Sequence, residues 1–207
     1  MKANEETRPQ RAFTKVSRTA FLEKYPTFVH SRWNGNDYVS PEIFSSYILY
    51  LEAGSTQGKC NKLSRELAKL LTLLNYTEMN FLGESSIPWL YREHDYRPVK
   101  QALTYLSDNE ISKSFNGAIK ISIENLPEFI KSLFWLVRCN GVVMYVNFSD
   151  NGFNFTGSIC QYGNLHISTL DEKTDAAFRN AVNKTAFKFL EDERCSAGPI
   201  YRRRAVF

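Results

Sequence analysis

The chain has 207 residues, with 26 Lys and Arg against 22 Asp and Glu and a formal charge of +4. Apolar residues make up 43% and charged residues 23%, the proportions of a folded domain rather than of a disordered tail or a collagen-like repeat. The longest apolar run, around residues 132–137, is too short to span a bilayer, and the polar start Met1-Lys2-Ala3-Asn4-Glu5-Glu6 lacks the apolar stretch of a secretory signal. Together these features predict a cytoplasmic protein with reduced thiols. Its cysteines, Cys60, Cys139, Cys160 and Cys195, include no C-x-x-C pair and have no histidine in metal spacing, so neither a metal site nor a cofactor is expected.

The charge is unevenly placed. Residues 1–24 hold Lys2, Arg8, Arg11, Lys15, Arg18 and Lys24 against three acids, for +3, and the last ten residues add Arg202, Arg203 and Arg204 for another +3. The body between them is therefore mildly acidic, at −2. A basic end can neutralise phosphates or an acidic surface without the body sharing in the contact.

In chain order, residues 1–12 read as a mobile basic segment. Ser17 to Lys24 predicts a short helix that stops before Pro26. Phe28 to Tyr38 reads as a strand or loop around a turn at Asn34-Gly35-Asn36. Ser40 and Pro41 resemble an N-cap and first helical position, and Ile43, Phe44, Tyr47, Ile48 and Leu51 fall on one helical face before Gly54. A second helix from about Cys60 to Asn75 buries Leu63, Leu67, Leu70, Leu71 and Leu74, which makes an antiparallel helical hairpin. Pro98 opens a third helix with Val99, Ala102, Leu103 and Leu106.

The second half alternates differently. Gly117 to Ile123 reads as a strand. Asn125 with Glu128 forms a capping-box pattern before a helix whose Phe129, Ile130, Leu133, Phe134 and Val137 face the core. Three strands follow, at Val142 to Ser149, Phe153 to Tyr162 and Leu165 to Thr169, joined by turns at Asn151-Gly152 and Gly163-Asn164. Two-residue turns would place Met144, Val146, Phe148, Phe155 and Ile159 on one face, with His166 opposite Gln161 at its far end. Tyr145, Asn147, Asn154, Thr156 and Ser158 would line the other. A final helix from Thr169 to about Asp192 would bury Phe178, Val182, Ala186, Phe189 and Leu190. The predicted fold is α+β, a helical N-terminal half followed by a β-α-β-β-β-α unit with a three-stranded antiparallel meander packed on helices. Its regions are 1–12, a mainly helical 13–110, an α+β 111–195 continuous with it, and a basic tail 196–207.

Three places invite a functional reading. The run Trp89-Leu90-Tyr91-Arg92-Glu93-His94-Asp95-Tyr96-Arg97 combines the aromatic and guanidinium side chains that dominate protein contacts and that stack on single-stranded nucleic acid. Its partner-binding candidates are Trp89, Tyr91, Arg92, His94, Tyr96 and Arg97, joined by Arg202, Arg203 and Arg204 at the C-terminus. His94, flanked by carboxylates, is also a weak candidate general base. Gly54-Ser55-Thr56-Gln57-Gly58-Lys59-Cys60 departs from a phosphate loop in glycine spacing, in lacking a magnesium-binding hydroxyl and in following a helix. It leaves only a weak anion site at Gly58, Lys59 and Lys62. His30 and His166 are the remaining candidate bases: nothing brings a nucleophile to His30, and His166 reads as a hydrogen-bonded structural histidine. The residues thus favour a non-enzymatic binding protein (inhibitor, adaptor, or phage or mobile-element accessory) whose partner is an acidic protein or a nucleic acid. The alternative is an enzyme or enzyme remnant acting on a phosphorylated or nucleotide substrate.

Overall fold

A computed structural model describes residues 12–31, 38–139, 146–190 and 195. Ten strands and five helices follow in the order β1 (Phe13–Val16), α1 (Arg18–Lys24), β2 (His30–Ser31), β3 (Tyr38–Val39), β4 (Ser45–Tyr50), α2 (Thr56–Leu73), β5 (Glu78–Leu82), α3 (Arg97–Asp108), β6 (Ala118–Ser122), α4 (Leu126–Arg138), β7 (Asn147–Asp150), β8 (Phe155–Ile159), β9 (Leu165–Thr169), α5 (Glu172–Val182) and β10 (Lys188–Phe189) among the described residues. Eight of the strands form one sheet in the order β1-β6-β5-β7-β8-β9-β4-β10, every neighbouring pair antiparallel, while β2 and β3 pair separately.

This overturns the expected helical first half with a separate meander. Strands β4 and β5 from the first half insert among those of the second and β1 forms one edge, so β7, β8 and β9 are interior members of a single large sheet. The segment expected as a helix over residues 41–51 is strand β4 between β9 and β10. Its apolar residues satisfied a helical spacing, yet Tyr47 and Leu49 also alternate, and Leu49 is buried while Ile43 and Phe44 are about half exposed. The helical hairpin therefore does not exist. The last helix ends at Val182 with Asn183 as its C-cap, and Phe189 lies in edge strand β10, opposite Leu49. Glu66 of α2 accepts the Ala186 N–H at 2.8 Å, holding the chain as it turns from helix to strand.

Local chemistry explains the helices that were legible. Ser17 and Ser55 cap α1 and α2 by accepting from Ala20 N and Gly58 N, and Pro98 sits in the first turn of α3. The capping box before α4 does not form: Asn125 makes no cap bond and donates instead to Ser122, while Glu128 pairs with Lys131. Helix α4 is apolar nearly all round because it lies centrally, against α2 on one side and α3 on the other.

The helices α2 to α5 cover one face of the sheet. Phe81, Phe148, Phe155, Ile159, Leu165 and Leu49 point into that layer and share a core with Leu67, Phe129, Leu133 and Phe178. On the other face, a smaller cluster of Phe21, Phe28, Leu82 and Ala118 packs α1 and its following loop over β5 and β6. Strand β5 is thus buried on both sides, which removes the period-two alternation that would have announced it. The remainder of that second face, over β7, β8, β9 and β4, carries Asn147, Ser158, His166, Ser168 and Ser46.

Registers decide which side chains reach this polar face. Phe148 pairs with Gly157, where a two-residue turn would have paired it with Phe155. That shift by two residues preserves the faces. Between β8 and β9 the shift is odd: Ser158 pairs with His166, and Cys160 N donates to Asn164 O around the turn Gln161-Tyr162-Gly163. An odd shift exchanges the faces of a strand, so His166 leaves the apolar side for the polar one. Gly163 makes the turn possible. Its φ is +71°, and a Cβ there would stand 2.5 Å from the Phe134 ring.

Candidate functional site

The aromatic and charged loop is anchored from within. Trp89 is 2% exposed, its Nε1 donates to Gly117 O at 2.9 Å, and its ring packs on Phe129. Its backbone N–H donates to Phe115 O. As a correction to its expected role as a contact residue, Trp89 is part of the core. Tyr91 and Tyr96 are 58% and 50% exposed, and Arg92, Glu93, Asp95, Arg97 and Lys100 also face solvent. His94 is committed to the loop, where Nδ1 accepts from Tyr96 N at 3.0 Å, and Glu93 pairs with Lys113 at 3.3 Å. The Tyr96 ring meets Trp135 of α4 edge-on, so the exposed rim has a defined orientation.

The three anion-site candidates are drawn apart. Gly58 N is satisfied by Ser55 Oγ, Lys62 Nζ donates to Glu52 O, and Lys59 is only 4% exposed. Lys59 Nζ donates to Asn164 Oδ1 at 2.9 Å, away from the start of α2. Burial lowers the Lys59 pKa, opposed by the nearby Cys160 and Cys195 thiols. His30 Nδ1 donates to Phe28 O at 2.6 Å. Arg202, Arg203 and Arg204 lie outside the described residues, as do the turn at 34–36 and residues 142–145.

A constellation absent from the local spacing of the sequence forms where β8 meets β9. Cys160 follows β8, His166 sits on β9, and Cys195 approaches from the chain beyond β10. The two sulfurs are 3.3 Å apart, His166 Nε2 is 3.2 Å from Cys195 Sγ, and Asn164 Nδ2 donates to that sulfur at 3.5 Å. All four cysteines are free thiols. Burial pushes the Cys160 thiol up, but hydrogen bonds from His166, Cys195 and the backbone at Asn164 and Tyr162 outweigh it and bring it down to about 7. Cys195 moves up to about 11, through burial and then through its hydrogen bond to Cys160 and the charge there.

Cys160 and His166 line a cleft of about 550 Å³ on the polar face, with Val29, Tyr38, Asn147 and Ser158. His166 also borders a second cleft of about 560 Å³, lined by Ser46, Ile48, Ser168 and Phe189. The expectation of no metal considered only residues close in sequence. Cys160, His166 and Cys195 nevertheless bring metal-ligating atoms within 4.8 Å of one another. The available signal was a Cys and a His flanking a glycine turn; nothing in the sequence announced Cys195. Comparison with protein families, curated proteins and solved structures finds no match for this chain. Among the described residues, no helix is long and apolar enough to cross a membrane.

Proposed function

We propose that the protein is a non-enzymatic, cytoplasmic binding protein that engages a macromolecular partner through the rim Tyr91, Arg92, Tyr96 and Arg97. The carrying observation is the contrast within one loop: Trp89 is buried and pinned, while Tyr91 and Tyr96, close by, are more than half-exposed or half-exposed. Ordering those rings costs little on binding because the anchor has already fixed the loop. Its charges are of both signs, with Glu93 and Asp95 between Arg92 and Arg97. A phosphate backbone would be repelled by those two carboxylates, whereas a protein surface can complement both signs, which favours an acidic but mixed-charge protein partner over a nucleic acid. The enzyme alternative receives less support, since Lys59 is bonded to Asn164 and His94 closes its own turn.

The test is affinity capture with the full chain against its Tyr91→Ala, Arg92→Ala, Tyr96→Ala variant, alongside binding to single- and double-stranded nucleic acid over a salt series. Loss of a specific protein partner in the variant supports the reading. Recovery of the same partner by wild type and variant refutes it, and steeply salt-dependent nucleic-acid binding would replace it with the nucleic-acid reading.

A further inference from the structure

We propose that Cys160, His166 and Cys195 form a mononuclear zinc(II) site that fastens the chain beyond β10 to the β8–β9 hairpin and leaves its fourth coordination position open to the adjoining cleft. Three donors of the kinds zinc prefers, two sulfurs and an imidazole nitrogen, converge from three separate segments. Tetrahedral zinc with sulfur at about 2.3 Å and nitrogen at about 2.05 Å requires S···S near 3.8 Å and S···N near 3.6 Å. The separations here, 3.3 Å between sulfurs and 3.2 Å from His166 to Cys195, need to widen by only about 0.4 to 0.5 Å. A disulfide would instead need the sulfurs to close by about 1.3 Å, and would leave the imidazole facing a group with no charge and no proton to share.

The surroundings support the metal. Asn164 donates to Cys195 Sγ and is itself oriented by the buried Lys59 ammonium, the kind of outer partner that fixes a ligand's direction. Lys59 and Arg138, the latter bonded to Gln161 O, supply positive charge around the hairpin end that favours thiolates. Two thiolates and a neutral imidazole would leave a zinc(II) centre without net charge. Because Cys160 and His166 both line the cleft with Ser158 and Asn147, a water molecule or an anionic side chain of a partner can occupy the fourth position. With two sulfurs and one nitrogen the ligand set matches zinc rather than calcium or magnesium, which take oxygen.

The experiment uses the full chain, reduced under anaerobic conditions and stripped of metal, then titrated with Co²⁺ and with Zn²⁺ against a chromophoric chelator. One equivalent of cobalt should give thiolate-to-metal charge-transfer absorption and strong tetrahedral ligand-field bands, and one equivalent of zinc should abolish them. Cys195→Ser should lose more affinity than Asn164→Ala, for which a fall of about 10–100-fold is expected, and Cys139→Ser should bind as the wild type does. A featureless or octahedral cobalt spectrum from the unmodified chain would overturn the proposal without recourse to any variant. Undiminished affinity in Cys195→Ser, or a Cys160–Cys195 disulfide that excludes the metal under reducing conditions, would also overturn it.

Discussion

Replacing Trp89 and Tyr91 separately tests the division of labour inside the loop. Trp89→Ala removes a ring that is 2% exposed, empties the space against Phe129 and strips Gly117 O of the indole N–H at 2.9 Å. Truncating a buried Trp costs about 3–5 kcal/mol. For a chain of this size each kcal/mol lowers Tm by about 2–4 °C, so the variant should melt about 6–20 °C below the wild type. Trp89→Phe keeps most of the volume but leaves the carbonyl without its donor, at about 1–3 kcal/mol. Tyr91→Ala, at 58% exposure, should stay within about 0.5 kcal/mol of wild type while losing the partner. Urea denaturation followed by far-ultraviolet circular dichroism gives the stabilities, and affinity capture reads the binding. Equal stability losses at the two positions, or an unchanged midpoint for Trp89→Ala, would refute the anchor-and-rim reasoning.

Gly163→Ala should destabilise the β8–β9 hairpin by about 1–3 kcal/mol, because its left-handed φ of +71° is strained for alanine and the added methyl meets Phe134 at 2.5 Å. A denaturation midpoint equal to the wild type's would show that the turn does not depend on glycine. In the metal-free reduced chain, iodoacetamide should alkylate Cys160 before Cys60, with a rate that climbs as pH rises through about 7, because the thiolate is the nucleophile and burial pushes the Cys60 thiol up to about 12. Peptide mapping showing Cys60 labelled first would contradict this. Glu78 is held below the usual carboxylate range by Lys120 at 2.6 Å and by Asn151. A depressed folded value contributes stability above the unfolded pKa that is lost as pH falls through the folded one, so Glu78→Gln should flatten the acid limb of the stability profile. An acid limb that is identical in the variant would remove Glu78 as a contributor.

Helices α1 to α4 could be read from the sequence because each carries its signal locally: Ser17 before α1, the leucine stripe of α2, Pro98 in α3 and the dense apolar run of α4. Strands were harder wherever burial was two-sided. Glu78 to Leu82 has four buried residues in succession, so it alternates like neither a helix nor a half-exposed strand. Tyr47 and Ile48 fit a helical spacing until β9 and β10 are seen to flank their strand, and a residue cannot announce partners more than a hundred positions away. The exposed half of the aromatic loop was legible by residue type; the inward turn of Trp89 was not, since it depends on the Gly117 carbonyl and Phe129 arriving from elsewhere.

The amino-acid sequence by itself determined that the chain is a folded α+β protein, which stretches carry helices α1 to α4, that its charge is concentrated at two ends, and that residues 89–97 combine aromatic rings with both signs of charge. Only the tertiary structure decided that strands from both halves share one sheet and that Cys160, His166 and Cys195 meet. The physical reason is register. Helix signals depend on neighbours within a turn, but the face a strand presents depends on its pairing, and here an odd shift around Gly163 carries His166 from the core side to the open side, where Cys160 of the same hairpin and the distant Cys195 can reach it.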